Sequence, residues 1–428
     1  MYMKRVLYAR LFLLGFGFFG VSVIWTLFNV FVPLFLANRF GLPSSLIGMF
    51  MTLDNIAAFL IQAPVGAWSD RLRTPIGRRM PFILVAAPIG AAAFGVIPLV
   101  SALPLFFICT LTLVISMAFW RTPVMALMPD ITPSKYRSQA NGIINLMGGL
   151  GAVIASLGGS ALYELNLNYP FWLGAILVVL AALLVFMFIK EPRIFQQSKP
   201  PPSLAESLRD LFRDKEKSAI RLLLAIFFWV LTTQQADAFL SLYATRHLGI
   251  SEGDAGRMAG HMAISFMIFA IPAGVLGSRL GRRKTISIGL IGMALSILVI
   301  AVLPPEVLTI ELGRLPPLGM IRLANLFLVL AGLTWALINT NALPMVVDLT
   351  NASLIGTYTG LYFLVYTLSS VVGPILNGWL IHLAGHNYNM LMIIGPVFLV
   401  VALFLLSGVN RGEPINEDST QLNEAPTH

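Results

Sequence analysis

Long apolar stretches recur along almost the whole chain, and they restrict the possible folds more than any other feature of the sequence. They fall at about 11–37, 45–68, 79–101, 104–128, 139–163 and 170–190, and again at about 219–243, 253–278, 284–304, 318–346, 353–383 and 389–410. A helix needs roughly 20 apolar residues to cross the hydrocarbon core of a bilayer. We therefore expect an all-α membrane protein with twelve spanning helices, numbered here as spans 1 to 12.

The charge content agrees with a bilayer environment. Only 11% of the 428 residues are charged, whereas soluble domains carry about 25%, so a water-soluble globule is excluded. The net charge of +9 could reflect nucleic-acid binding, but the basic residues lie in loops between apolar runs, which is typical of membrane topology. We expect a lipid bilayer, and no nucleic acid, as a partner.

The sequence offers little for redox, metal or covalent chemistry. Cys109 is the only cysteine and lies in an apolar run, so neither a disulfide framework nor a Cys-based metal site is predicted. The sequence also lacks a G-x-x-x-x-G-K-[ST] loop, a nucleophile elbow and clustered metal ligands. We expect no cofactor and no enzymatic activity, which argues against an ATP-driven pump or a membrane enzyme.

The basic residues predict the orientation of the spans. Thirteen fall on one side: Lys4, Arg5, Arg10, Arg71, Arg73, Arg78, Arg79, Lys135, Arg137, Arg279, Arg282, Arg283 and Lys284. The other side has five: Arg39, Arg246, Arg257, Arg314 and Arg322. Because cytoplasmic loops are enriched in Lys and Arg, the first side and both termini are predicted to be cytoplasmic. The sole N-x-S/T sequon, at Asn351, falls on that side, so we expect a prokaryotic inner membrane, with an organellar membrane as the alternative.

A polar segment divides the spans into two sets of six. Residues 191–218 start with a Pro-rich stretch and continue with the pattern of an amphipathic helix on the inner membrane surface. Its apolar face would be formed by Leu204, Leu208, Leu211 and Phe212. The polar residues 411–428 predict a disordered tail. We expect six-helix bundles at 1–190 and 219–410, joined by this linker.

Two motifs occur once in each half of the chain. Gly66-Ala-Trp-Ser-Asp-Arg-Leu, before span 3, aligns with Gly274-Val-Leu-Gly-Ser-Arg-Leu, before span 9, and each is followed by Gly-Arg-Arg. Asp130-Ile-Thr, after span 4, matches Asp348-Leu-Thr, after span 10. Two repeats in the same orientation predict a pseudo-two-fold axis along the membrane normal and a site near the midplane between them.

The duplicated G-x-x-x-D-R-x-G-R-R loop resembles the signature of the major facilitator superfamily. The segments GAWSDRLRTPIGRRMPF and RTPVMALMPDITPSKYRSQANGIINLMGGLGAVIA resemble the sucrose/proton symporter and the glycoside-pentoside-hexuronide cation symporter branches. The resemblance extends over all twelve spans. It implies the major facilitator fold, two pseudo-symmetric six-helix bundles, and transport of a sugar by alternating access. We expect a monomer.

The duplicated loops also supply candidate gating residues. In the first half these are Asp70, Arg71, Arg78, Arg79 and Asp130; in the second half they are Arg279, Arg282, Arg283 and Asp348. Carboxylates and guanidinium groups at the inner ends of the spans could form a latch that holds one conformation. Ser278 replaces Asp70 in the second half, so the latch would be asymmetric. Solvated caps and topology determinants are the alternative.

Ionisable residues at bilayer depth are candidates for proton coupling. Asp54 lies about nine residues into span 2, where a carboxylate can exchange a proton as access switches; a structural pair with an arginine is the alternative. Arg121 is expected to pair with Asp54 or with solute, or else to extend to the inner surface. Asp237 and His261 should lie at similar depths on spans 7 and 8, where they would form a titrating pair.

The resemblance also bears on the coupling ion. Sodium-coupled glycoside symporters carry a second carboxylate four residues after the first on helix 2, whereas this chain has Ala58 there. Protons are therefore favoured over sodium. Plant sucrose carriers place an acidic residue inside helix 4, but LTLVISMAF in span 4 contains none, so their coupling site cannot be transferred.

Amide, hydroxyl and aromatic side chains inside the spans are candidates for solute binding. They are Trp25, Asn29, Gln62, Asn145, Thr233, Gln234, Gln235, Trp335, Asn339, Asn341, Tyr358 and Tyr362. Amides can bind several hydroxyl groups, and aromatic faces can stack on a sugar ring. Hydrogen bonding between packed spans and simple packing are the alternatives.

The sequence thus predicts a secondary transporter that moves a neutral sugar or glycoside together with a proton. A proton-coupled exporter of amphipathic compounds is the first alternative and would need a more apolar cavity. A sodium-coupled sugar symporter is a lesser alternative. A passive channel is disfavoured by the duplicated loops and by the buried carboxylate.

Overall fold

The computed structural model describes residues 2–132, 137–191, 216–350 and 354–412. Within these ranges, twelve helices are long and apolar enough to cross a membrane. This confirms the all-α fold class and the twelve predicted spans. Most of the linker and of the tail lies outside the described residues, so the amphipathic helix and the disordered tail stay predictions.

The first six spans begin and end close to the predicted positions, except that the helix of span 1 begins nine residues earlier than predicted. Their helices are Tyr2–Asn38, Ser44–Met51 with Leu53–Arg71, Met80–Val96, Leu103–Ile131, Arg137–Leu165 and Tyr169–Phe188. A short 3₁₀ helix, Ile97–Leu99, follows span 3. Span 2 is therefore divided at Thr52, whose hydroxyl group donates to the carbonyl oxygen of Met49 at 2.7 Å. Such a bond competes with the regular helical pattern.

The second six spans contain one element that the sequence pattern did not predict. Their helices are Ser218–Arg246, Glu252–Leu280, Arg282–Val302, Leu323–Val347, Ile355–Leu383 and Met390–Ser407. Between spans 9 and 10, after the short helix Pro305–Leu308, strands β1 (Glu311–Leu315) and β2 (Gly319–Arg322) form an antiparallel hairpin. Gly313 and Gly319 adopt φ values of +151° and +80°, which favour glycine. Span 10 therefore starts five residues later than predicted.

Apolar side chains pack inside each bundle and also cover its lipid side. The core includes Trp120, Trp229 and Phe94, which are almost fully buried. Large side chains such as Ile271 and Phe404 are exposed on the outer surface, as expected for helices surrounded by hydrocarbon.

The two bundles approach each other closely at one end. We name the end with loop 72–79 and residues 281–284 the basic face, and the end with loops 39–43, 247–251 and 303–322 the opposite face. Near the opposite face, Gly48 of span 2 packs against the Pro374 backbone of span 11, and Gly256 of span 8 packs against Ser160 of span 5. Small residues permit this close approach.

Gly48→Ala is expected to destabilise the protein. The added methyl group would lie 2.1 Å from the carbonyl oxygen of Pro374, a backbone atom that cannot rotate away. Spans 2 and 11 must then separate, at a cost that exceeds the gain in helix propensity of about 1 kcal/mol. The thermal midpoint in detergent should fall for Gly48→Ala but not for Gly158→Ala, whose methyl group meets no atom within 4 Å. A midpoint equal to that of wild type would contradict the tight packing.

Candidate functional site

Two adjoining cavities lie between the bundles. The larger has a volume of about 510 Å³ and the smaller about 230 Å³. They meet at Asn29, Arg121 and Asp237, which line both. The lining of the larger cavity reaches Met125 on span 4 toward the basic face and Ala255 on span 8 toward the opposite face. Both halves of the chain contribute to its walls, in agreement with the site predicted from the repeat.

The smaller cavity is strongly polar. Asp54, Asn55 and Arg121 come from the first bundle, and Gln234 and Asp237 come from the second. The Asn55 amide donates to Asp54 Oδ1 at 2.9 Å. The charges of Arg121 and Asp237 both lie near enough to act on the Asp54 carboxylate. This cavity can therefore bind hydroxyl groups, and it can take up a positive charge between its carboxylates.

The break in span 2 explains the position of Asp54. Because a new helix starts at Leu53, Asp54 lies in its first turn. The N–H groups of a first helical turn have no carbonyl partner within their own helix, and the helix dipole favours a negative charge there. The sequence pattern located Asp54 near the midplane but gave no sign of this helix start.

The larger cavity has mostly apolar walls. Val21, Val124, Ile144, Leu240 and Met262 are among its lining residues. Polar atoms are fewer, and two of them, Ser156 Oγ and Ser241 Oγ, are buried without a hydrogen-bond partner in the described part of the chain.

Eight of the predicted site residues line these cavities. They are Trp25, Asn29, Asp54, Arg121, Asn145, Gln234, Asp237 and Trp335. The structure thus brings them together from both halves of the chain. Their roles in binding and coupling stay predictions.

The predicted pair of Asp237 and His261 is not formed. His261 is buried with its Nδ1 2.8 Å from the side-chain nitrogen of Asn325 on span 10. Asp237 instead faces the cavities. The two residues lie at similar depths, but His261 is on the side of span 8 that contacts span 10, so the prediction from depth alone was wrong.

Three polar side chains of spans 7 and 10 that were predicted to bind solute instead form hydrogen bonds or packing contacts inside the second bundle. The Thr233 hydroxyl donates to the Val230 carbonyl. Gln235 packs against Gly395 and faces a separate small cavity within the bundle. Asn341 donates to the carbonyl oxygens of Ala273 and Leu337. These side chains form hydrogen bonds or packing contacts within their own bundle, and they do not line the central cavities.

Four further predicted residues lie away from the central cavities. Tyr358 and Tyr362 are buried on span 11, where packing accounts for them. Gln62 and Asn339 are partly exposed, but neither lines the two cavities. Their helical faces point elsewhere, which the apolar pattern could not reveal.

Several cavity residues were missed. Asn55 and Ser370 line the smaller cavity, and Ser22 and Thr26 line the larger one. Helical spacing offered a signal for Thr26, which lies one turn before Asn29. Tyr366, on the same helical stripe as Tyr358 and Tyr362, was a candidate for cavity lining and lines the smaller cavity.

A cluster of ion pairs lies at the basic face of the first bundle. The Arg79 side chain donates to Asp130 at 2.5 Å, to Asp70 at 2.8 Å and to the Ser69 hydroxyl at 3.0 Å. Arg78 donates to Asp130 at 2.8 Å. The guanidinium groups are buried, and the predicted pairing of these aspartates with the loop arginines is present.

The carboxylate of Glu191 caps span 3 beside this cluster. It accepts hydrogen bonds from the backbone N–H groups of Arg78, Arg79 and Met80, each at 2.9 Å. These groups have no partner within the helix. Glu191 thus ties the end of the first bundle to its first basic loop, a role that sequence analysis did not assign.

The second bundle has a smaller cluster. Arg282 pairs with Asp348, and Arg283 donates to the carbonyl oxygen of Ser407. Arg71 and Arg279 are exposed and take no part in these pairs. Each ion pair at the basic face, where both partners are described, stays within one bundle. The predicted gating role of these residues is therefore not visible as a link between bundles.

The links between the bundles lie at the opposite face. Arg257 of span 8 donates to both carboxylate oxygens of Glu164 on span 5, at 2.5 and 2.8 Å. Glu252 accepts from the Asn38 amide at 2.6 Å and from the Tyr163 hydroxyl. Among hydrogen bonds whose two partners are both described, all that join the bundles are in this group, which also includes Arg246 to Asn38.

We name these residues the outer closure. Sequence analysis assigned Arg246 and Arg257 to topology only and did not single out Glu164 or Glu252. Their opposite charges at facing span ends were the available signal. The closure joins the two bundles at the opposite face.

Comparison with known proteins shows which family the chain resembles. A family model described as the Major Facilitator Superfamily matches residues 14–251 and 236–427, which cover almost the whole chain. The human "Proton-associated sugar transporter A" is 42% identical over 74 residues, 17% of this chain and 10% of that protein. The chain thus aligns with about a tenth of that relative's length.

Other similarities extend over the full length. The "Tetracycline resistance protein, class E" of Escherichia coli is 22% identical over 387 residues, 87% of this chain and 89% of that protein. A crystal structure of the nucleoside transporter NupG superimposes with a TM-score of 0.74 at 17% identity, covering 94% of this chain and 99% of that chain. At that identity the likeness shows the fold alone.

Proposed function

The chain belongs to the major facilitator superfamily, and from this premise we propose that it is a proton-coupled symporter of a neutral sugar or glycoside. As a member of that family it is an integral membrane protein that performs secondary transport, and it is not an enzyme. The solute, the coupling ion and the direction of transport belong to the proposal.

The observation that carries the proposal is the chemistry of the smaller cavity. Amide groups of Asn29, Asn55 and Gln234 can donate to and accept from sugar hydroxyl groups. Trp25 offers an aromatic edge or face beside them. The name of the human relative, a proton-associated sugar transporter, supports the same solute class.

Proton coupling is assigned to the pair of carboxylates. Asp54 is contributed by one bundle and Asp237 by the other, with the Arg121 guanidinium in the same cavity. One cation cannot fully balance two carboxylates, so a proton is the natural further positive charge. Relative motion of the bundles changes the surroundings of both carboxylates and can therefore couple proton binding to access.

Alternating access is supported by the asymmetry of contacts. The outer closure joins the bundles at the opposite face, whereas each ion pair at the basic face whose partners are both described stays within one bundle. We assign the basic face to the cytoplasm by the enrichment of basic residues, so this conformation is inward-facing. The cycle then requires the outer closure to open and the inner halves to come together. We expect a monomer to suffice.

Export of amphipathic compounds is the second candidate function. The largely apolar wall of the larger cavity, including Val124, Ile144 and Met262, favours it. The tetracycline resistance relative supports it as well. It would use the same carboxylates in exchange for protons.

Uptake into proteoliposomes tests the proposal. Purified protein is supplied with a panel of radiolabelled sugars and glycosides, with and without an acidic exterior. We expect accumulation above equilibrium only with the pH gradient. Downhill flux that ignores pH would indicate a passive channel, and proton-driven movement of tetracycline without sugar uptake would favour export.

Gln234→Ala is expected to weaken sugar binding. Loss of one hydrogen bond of about 0.5–1.5 kcal/mol raises the half-saturating concentration roughly threefold to tenfold. Initial uptake rates over a range of sugar concentrations measure it. Gln62→Ala is the matched control, because Gln62 lines neither cavity and should leave the value unchanged. Equal effects of the two substitutions would show that Gln234 does not contribute to sugar binding.

A further inference from the structure

The β1–β2 hairpin lies directly over the ion pair of the outer closure. Gly319 of β2 packs against the Arg257 side chain so closely that an added Cβ would lie 2.4 Å from Arg257 Cδ and 2.9 Å from Nε. Arg257 Nε is buried and has no hydrogen-bond partner in the described part of the chain. The hairpin backbone therefore limits where the guanidinium group can go.

A line of alternating charges connects the hairpin to the closure. Arg322, the last residue of β2, lies 2.8 Å from Asp254 and 3.8 Å from Glu311 of β1. Asp254 in turn accepts from Arg257 at 2.8 Å, and Arg257 reaches Glu164 in the other bundle. Among these groups, only Glu164 belongs to the first bundle.

We propose that the hairpin is a positioning element for the outer closure: Gly319 and Arg322 hold Arg257 in the one orientation that reaches Glu164. A free arginine side chain has many rotamers, and ordering it costs conformational entropy when the bundles meet. Steric contact with Gly319 and the charge of Asp254, itself fixed by Arg322, order the guanidinium group before contact. The fork of Arg257 can then bind both oxygens of Glu164 at once.

The second bundle therefore carries a prepared binding group, whereas Glu164 is partly exposed on the first bundle. Loss of the hairpin contacts would leave the arginine present but disordered. The expected result is a weaker closure and a larger share of molecules open at the opposite face. This inference rests on the proposed alternating access, but not on the identity of the solute or of the coupling ion.

Distances between spin labels on the two bundles test the proposal. Labels are attached through Asn166→Cys and Glu306→Cys, both exposed at the opposite face, in a Cys109→Ser background. Electron-electron double resonance in nanodiscs then gives the share of molecules with separated bundles. Gly319→Ala and Arg322→Gln should each raise that share about tenfold, which corresponds to the loss of roughly one charge-assisted hydrogen bond.

Matched controls separate positioning from damage to the hairpin. Gly313→Ala places a methyl group at another positive-φ glycine of the hairpin but meets no atom within 4 Å. Arg322→Lys keeps a positive charge beside Asp254. Both should resemble wild type, and Glu164→Gln should separate the labels by removing the ion pair itself. Thermal midpoints and monodisperse elution identify variants that are not folded.

The outcomes decide the proposal. Unchanged distances in Gly319→Ala and Arg322→Gln, with separation in Glu164→Gln, would show a closure that does not need the hairpin. Equal effects of Gly313→Ala and Gly319→Ala would show that contact with Arg257 is not the cause. If Glu164→Gln has no effect on the distances, the pair of Arg257 and Glu164 does not hold the bundles together. The measurement contains neither sugar nor a pH gradient, so failure of sugar uptake leaves it intact.

Discussion

Replacing Asp54 by asparagine should abolish concentrative uptake while leaving downhill exchange of solute. Asparagine keeps the shape and hydrogen bonds of the site but cannot bind and release a proton. A proton that crosses about 100 mV supplies roughly 2.3 kcal/mol, which sustains a solute gradient of about fiftyfold. We expect that gradient to fall to about onefold in proteoliposomes with an imposed potential.

The control variants for this experiment are Asp54→Glu and Asp237→Asn. Asp54→Glu retains a carboxylate and should keep part of the accumulation. If Asp237→Asn abolishes accumulation and Asp54→Asn does not, the second bundle carries the coupling group. Solute accumulation by Asp54→Asn at the wild-type level would refute the assignment of Asp54.

Replacing Arg79 by glutamine should cause a large loss of stability. Arg79 is buried between Asp70, Asp130 and the Ser69 hydroxyl. Its loss leaves Asp130, which is also largely buried, with Arg78 as its remaining partner in the cluster. Removing one member of a buried ion pair typically costs about 3–5 kcal/mol. The thermal midpoint in detergent should fall by several degrees.

Arg71→Gln is the matched control, because Arg71 is eight residues away, at the end of span 2, but is exposed. Its midpoint should equal that of wild type within error. The double variant Arg79→Gln with Asp130→Asn should lose less than the sum of the two single variants, since the partners are in contact. Additive losses, or equal midpoints for the two arginine variants, would show that the cluster contributes little.

The number and order of the spans could be predicted because hydrocarbon requires long apolar helices with all backbone groups paired. The hairpin between spans 9 and 10 was missed for a related reason. Met320 and Ile321 of β2 are apolar and directly precede span 10, so they merged with its apolar run. The glycines at 313 and 319, which interrupt this stretch, were the available signal for a strand pair.

The candidate site was predicted only in part, because the apolar pattern of a membrane helix does not show which of its faces points toward the cavity. Lipid-facing and core-facing sides are both apolar, so a polar residue alone does not identify the face that lines a cavity. Gln234 and Gln235 illustrate this, since adjacent side chains face the central cavity and the bundle interior respectively. The direction in which each side chain points was therefore not predicted.

The presence of the outer closure at the opposite face, and the lack of a described link between the bundles at the basic face, have a pharmacological consequence. In the proposed inward-facing conformation, a charged blocker that fills the cavity and cannot diffuse through lipid would reach its site only from the basic face. Inhibition should then appear at once in inside-out vesicles, and in right-side-out vesicles only after turnover has exposed the cavity. Comparing the two vesicle orientations would thereby show from which side an inhibitor of this protein must act.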